Sequence, residues 1–212
     1  MRKTVGVFLV RVALPDRPGS LGSVASAMGQ LDADINAVEI VQRYEGFAID
    51  DFMVELPAGS PADALVTVCE SVPGVQVIWV SHYPEAWGLQ ADVDVLNAMT
   101  EDPEHAEEIL TQQAPAVFRV GWAVLVDTAS GTVVARSELA PDLDEAGVAA
   151  LGALDTVHSE ELPEEWIPGW PETLLAVAPM HGTTAIVLAR RGGPEFIKSE
   201  LARLRHLAAL AV

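Results

Sequence analysis

An almost uninterrupted apolar run, Val5 to Leu14, meets the turn Leu14-Pro15-Asp16-Arg17-Pro18-Gly19-Ser20-Leu21, after which the apolar period changes. Leu21, Val24, Ala25, Met28 and Leu31 then recur at helical spacing, so a strand enters the turn and a helix leaves it. Pro18 supplies a φ suited to a first helical turn, Gly19 permits close backbone approach, and Ser20 is placed to cap. A helix that starts here carries N–H groups without intrahelical partners, which makes it a receptor for a carboxylate or phosphate. The same residues also read as an ordinary, well-capped strand-to-helix corner.

Followed onward, the pattern gives strand Ile35 to Gln42, strand Phe47 to Leu56, helix Pro61 to Ser71 and strand Val75 to Ser81. Tyr44-Glu45-Gly46 joins the middle two strands as a hairpin, and Pro73-Gly74 turns the chain into the last. The order βαββαβ is a ferredoxin-like arrangement, an antiparallel sheet with two helices on one face. Both parities of the first strand are apolar, so its second face is expected to pack on another subunit or domain.

These residues resemble an ACT domain over about 80 positions. The resemblance rests on the turn Leu14 to Leu21, on Ala33-Asp34-Ile35 opening the second strand and on Val72-Pro73-Gly74-Val75 before the last. ACT domains are small regulatory modules that commonly bind amino acids at a dimer interface, the turn after the first strand holding the ligand's charged groups. The resemblance therefore implies a site made of Asp16, Arg17, Pro18, Gly19, Ser20 and Leu21, with Asp34 and Asn36 on the neighbouring strand. In it Asp16 accepts from a ligand ammonium, and the N–H groups of Gly19, Ser20 and Leu21 receive its carboxylate. Many family members carry Asn where Asp34 stands, and Asn36 follows two residues on, expected on the same face.

Pro84 to Gln90 loses strand periodicity and reads as a linker, which divides the chain into domains at 1–83 and 91–212. Beyond it, helices Ala91 to Met99 and Pro103 to Gln113 precede strand Val117 to Val126, the turn Asp127 to Gly131 and strand Thr132 to Ser137. Ser137 to Glu172 holds ten carboxylates and no Lys or Arg, and reads as a mostly solvated excursion anchored by Trp166 and Trp170. Strands Thr173 to Ala178 and Thr183 to Arg190 and helix Pro194 to Leu210 close the chain. Leu174 to Pro179, Ala185 to Leu188 and Phe196 to Leu210 resemble the end of a GAF domain. The fold class expected is α+β, an ACT-like βαββαβ sandwich followed by a GAF-like antiparallel sheet with flanking helices.

Catalytic and cofactor patterns are missing: no phosphate loop, no dinucleotide fingerprint and no nucleophile elbow, although Gly19-Ser20-Leu21-Gly22 comes near the last. Cys69, the single cysteine, sits on an apolar helical stripe and reads as a buried small hydrophobe. Asp50 and Asp51 point to opposite faces of their strand, so they cannot share a proton, and each is expected to be solvated. The five histidines show no metal-ligand spacing. Neither a catalytic residue, a metal nor a cofactor is expected.

A net charge of -19 repels a phosphate backbone or an anionic membrane, so neither nucleic acid nor membrane is expected as a partner. Arg11 interrupts the first apolar run too early for a signal peptide, and with one cysteine a reducing cytoplasm is the expected setting. The function expected is a non-enzymatic sensor: a homodimer that binds a small amino acid at the ACT-like domain and signals through the GAF-like domain to a protein partner. The alternatives are a constitutive dimerising scaffold and an enzyme with its site in the acidic second half near Trp166 and Trp170.

Overall fold

In a computed structural model, which describes residues 6–82, 89–163, 166 and 172–211, the chain divides into two compact units, Met1–Glu85 and Ala86–Val212. The first runs β1 (Gly6–Pro15), α1 (Ser20–Gly29), β2 (Asp34–Tyr44), β3 (Phe47–Leu56), α2 (Asp63–Glu70) and β4 (Gln76–His82). Its sheet has the order β2-β3-β1-β4 with every neighbouring pair antiparallel, which is the ferredoxin-like topology. β1 and β3 pair without interruption from Gly6 opposite Leu56 to Pro15 opposite Phe47.

Alternation along these two strands sends Phe8, Val10, Val12, Leu14, Phe52, Val54 and Leu56 into one core with Val24 and Met28 of α1 and Leu65 and Cys69 of α2. α1 presents Ser20, Val24, Ala27 and Met28 to that core, whereas Leu21, expected on the buried stripe, is exposed. The opposite parity of the sheet carries Leu9, Arg11, Asp51 and Met53, all of them buried as well. There Arg11 and Asp51, directly opposite each other, form a two-pronged ion pair: Nε to Oδ1 at 2.7 Å and Nη2 to Oδ2 at 2.9 Å. Asp51 is 0% exposed and Arg11 2%, which overturns the expectation of a solvated Asp51. The reason is that β3 is an interior strand, so a carboxylate at its middle must find its partner within the fold.

The second unit runs α3 (Leu89–Glu101), a short 3-10 turn (Pro103–His105), α4 (Ala106–Phe118), β5 (Trp122–Asp127), β6 (Thr132–Arg136), α5 (Glu145–Ala149), β7 (His158–Glu161), β8 (Thr173–Pro179), β9 (Thr184–Arg191) and α6 (Lys198–Leu210). Its antiparallel sheet has the order β6-β5-β9-β8-β7. One face packs Ala123, Ala176, Ile186 and Leu188 against Val95, Leu110 and Leu204 of the long helices. The other gathers Trp122, Val124, Leu175, Val177 and Val187 with Val148, Leu151 and Leu162. Cover on both faces explains why β5, β8 and β9 are apolar at successive positions rather than alternating.

Two expectations change here and a third gains detail. The strand placed from Val117 begins only at Trp122, because Val117 and Phe118 continue the helical stripe of Leu110 and Ala114. Arg119, at φ 56, ends that helix, and its last carbonyls receive arginine donors: Arg203 Nη2 to Val117 O at 2.9 Å and Arg190 Nη2 to Phe118 O at 3.3 Å. The final helix begins at Lys198, not Pro194, where the Glu200 carboxylate accepts from Ile197 N–H at 2.9 Å. Finally, the acidic stretch is mostly exposed, as expected, yet it carries regular structure. It contains α5, whose first turn is capped by Asp144 accepting from Gly147 N–H at 2.8 Å, and β7, an edge strand paired with β8. Ser137, Gly147, Val148, Leu151 and Leu162 are buried in that stretch, and Trp166 stacks on Trp122 at 5.9 Å between ring centroids. Of the remaining expectations, Trp170 and residues 84–88 of the linker lie outside the described residues, while Leu89 and Gln90 belong to α3.

Removing one member of the Arg11–Asp51 pair strands the other charge in the sheet. Arg11→Leu is expected to cost about 3–5 kcal/mol in urea unfolding, and Arg11→Leu with Asp51→Leu to recover most of that loss. A single variant no less stable than the double one would show that the pair is not what holds this part of the sheet.

Candidate functional site

The turn after β1 is pinned at both ends by its backbone. Asp16 N–H donates to Gly46 O of the β2–β3 hairpin at 3.0 Å, Arg17 N–H to Pro15 O at 2.9 Å and Ser20 N–H to Arg17 O at 3.2 Å. Gly19 is the N-cap of α1 at φ 92, a conformation that disfavours any side chain, although a Cβ built there meets nothing within 4 Å. Glycine is therefore required by the backbone rather than by crowding. Ser20, expected to cap, is instead the first helical residue and largely buried, and no side chain caps the helix. Its N–H is spent on Arg17, which removes it from the expected anion receptors; the N–H groups of Gly19 and Leu21 have no backbone acceptor.

Two open cavities flank the turn. One, about 370 Å³, lies between Pro18, Gly19 and Ser23 on one side and Val72 and Pro73 on the other. The second, about 310 Å³, lies between the turn, from Leu14 to Leu21, and the residues Ile40, Arg43, Ala48 and Asp50 of β2 and β3. Asp16, Arg17, Pro18, Gly19, Ser20 and Leu21 are thus brought together around this second cleft. Asp34 and Asn36 are exposed on β2 and line neither cavity, and the register shift between Ile35 and Ala37 breaks the two-residue period on which their shared face depended.

Asp50 is the residue that the sequence reading missed. It stands opposite Val12 on β1 and Ile40 on β2, is 1% exposed, and its Oδ1 has no hydrogen-bond partner. Burial pushes its carboxyl up to about 6; Arg43 pulls the other way, and Asp16 and Asp51 add to the rise. Two adjacent carboxylates inside a strand otherwise as apolar as Phe47-Ala48-Ile49 and Phe52-Met53-Val54 were the mark that could have revealed it. Cys69, by contrast, is buried as expected, and burial raises its thiol to about 11, away from reactivity.

No family model matches the chain, and no curated protein matches it significantly. Solved structures do. An unknown protein from Galdieria sulphuraria matches with 16% identity over 89% of this chain and 81% of its own, at a TM-score of 0.35. The ACT domain from the GTP pyrophosphokinase of Chlorobium tepidum matches with 18% identity over 37% of this chain and 99% of its own, at 0.28. A putative glycine cleavage system transcriptional repressor matches with 9% identity over 94% and 88%, at 0.30. Among the described residues no cluster of His, Cys, Asp and Glu is placed to hold a metal, and no helix is long and apolar enough to cross a membrane.

The raised carboxyl of Asp50 sets a sign for stability. The folded state holds its proton more tightly than the unfolded chain, where the group titrates near 3.8, so stability falls as pH rises from about 4 to 6 and stays lowered above. Asp50→Asn removes that cost and is expected to stabilise the protein by on the order of 1–2 kcal/mol at pH 7.5, allowing for solvent screening, and by a fraction of that at pH 4. Urea unfolding at the two pH values checks it; a destabilised variant at pH 7.5 would mean the carboxylate is satisfied in the resting protein.

Proposed function

We propose that this protein is a non-enzymatic regulator that binds a small amino acid in the cleft between the β1–α1 turn and β3. One observation carries the reading: a helix N-terminus with unengaged N–H groups and a buried carboxylate with an unpartnered oxygen line the same 310 Å³ cleft. Such a cleft offers a zwitterion one site for each of its charges, and its volume is at the lower end of small-molecule sites. The ACT-like order of the turn, hairpin and strands supports the same assignment.

The finer parts of the proposal are a homodimer, a GAF-like second unit that relays the bound state, and a protein partner in the cytoplasm. Val38 and Ile40 of β2, 44% and 43% exposed on an edge strand, support association of copies through the first unit. The second unit's five-stranded sheet, with helices from both ends of the segment against one face, supports a GAF-like relay. The same exposed apolar row favours a second reading, a constitutive dimerising scaffold whose cleft stays empty.

A thermal-shift panel of the twenty amino acids and the common cyclic nucleotides separates the two. A ligand at 100 times its dissociation constant stabilises by ~2.7 kcal/mol, which raises the melting temperature measurably. Gly19→Val, which forces a branched side chain into φ 92, is expected to abolish that shift. Dimerisation by analytical ultracentrifugation with no response to any amino acid would leave the scaffold standing instead.

A further inference from the structure

Asp51 and Asp50 face the same difficulty, a carboxylate inside a sheet, and meet it differently. Asp51 holds a two-pronged guanidinium partner, whereas Asp50 Oδ1 has none, and the Asp50 side chain lines an open cleft. Arg43, across the cleft on exposed β2, acts on Asp50 through its field but makes no hydrogen bond to it. A buried polar atom left unpaired in a folded protein calls for an explanation, and the cavity of 310 Å³ that its residue lines supplies one. Asp16, by comparison, is exposed, and a contact there is worth little in water.

We propose that Asp50, not Asp16, is the seat of a cationic nitrogen, so that the cleft selects ligands with a free ammonium and rejects the same carboxylates without one. The inference rests on the amino-acid reading of the cleft and adds which end of the ligand decides selectivity. The ammonium donates to the Asp50 carboxylate, and the ligand carboxylate lies toward the N–H groups of Gly19 and Leu21 at the start of α1. The charged groups around Asp50 are Asp16 and Arg17 of the turn, Arg43 of β2 and Asp51 on β3 itself; among the described residues no histidine lines the cleft. The ionised carboxylate is the form that receives the ammonium. Its half-ionisation at about 6 then leaves only a tenth of it competent at pH 5, and the apparent affinity falls by about tenfold from its value at pH 7.5.

The test uses the full chain and the amino acids that stabilise it in the thermal-shift panel, each paired with its des-amino carboxylate, acetate for glycine and propionate for alanine. Isothermal titration calorimetry at pH 7.5 and 5.0 is expected to show binding of the amino acid, at least tenfold weaker binding of its des-amino partner, and about a tenfold loss of amino-acid affinity at the lower pH. Asp50→Asn is expected to weaken amino-acid binding at least tenfold at pH 7.5 and to remove the pH dependence. Should the variant fail to fold, the wild-type pairs and pH values decide alone. Equal affinity for an amino acid and its des-amino partner, or amino-acid binding indifferent to pH and to Asp50→Asn, overturns the role of Asp50 and leaves the amino-acid reading intact. No stabilisation by any amino acid overturns both.

Discussion

The uninterrupted antiparallel ladder between β1 and β3 is the constraint on which the first unit depends. Its register sets Arg11 against Asp51 on one face and Val12 against Asp50 on the other, so one pairing decides which carboxylate finds a cation and which does not. The same register ends with Pro15 opposite Phe47, which brings the β1–α1 turn beside the β2–β3 hairpin, where Asp16 N–H reaches Gly46 O. A slip by one residue would exchange the two faces and remove both the ion pair and the cleft carboxylate. Structure and site are thus fixed by one set of backbone hydrogen bonds.

The two aspartates also show how the fold distributes stability. A hydrogen-bonded ion pair at Arg11–Asp51 offsets much of the desolvation of its charges, while at Asp50 the field of Arg43 offsets only part of the desolvation and the carboxyl keeps its proton to a higher pH. Local destabilisation at a cleft is the usual counterpart of a group prepared for something outside the chain. Gly19 adds to it, since its left-handed backbone keeps the helix N-terminus without a capping side chain.

Much of the first unit was legible because its apolar period switches cleanly between two and 3.6, and because Pro18-Gly19 and Glu45-Gly46 mark the places where it switches. Asp50 was not, although both faces of β1 had been read as apolar. Whether a carboxylate on β3 is solvated depends on β3 lying between β1 and β2, a property of sheet order that no local window contains. The end of α4 was hidden for a different reason: Val117 and Phe118 satisfy strand and helix patterns alike, and the helix stops at Arg119, a residue with no glycine's freedom to advertise the stop. In the acidic stretch, charge density masked Val148, Leu151 and Leu162, whose wide spacing anchors the chain on the sheet.

The overall charge bears on the cleft as well. At -19 the protein carries a field that disfavours an approaching anion, and α1's N-terminus with Arg17 and Arg43 must act against it at short range. At physiological salt that long-range field is screened beyond about 8 Å, so the contest is settled within the cleft itself. In the proposed binding mode a simple carboxylate gains the helix N-terminus but meets Asp50 once ionised, a like charge in a poorly solvated place. A zwitterion carries no net charge to the surface and places opposite charges against both groups. On the proposed assignment, the same buried carboxylate that keeps its proton to a higher pH would turn an anion-binding corner into one that discriminates between an amino acid and the acid that lacks its nitrogen.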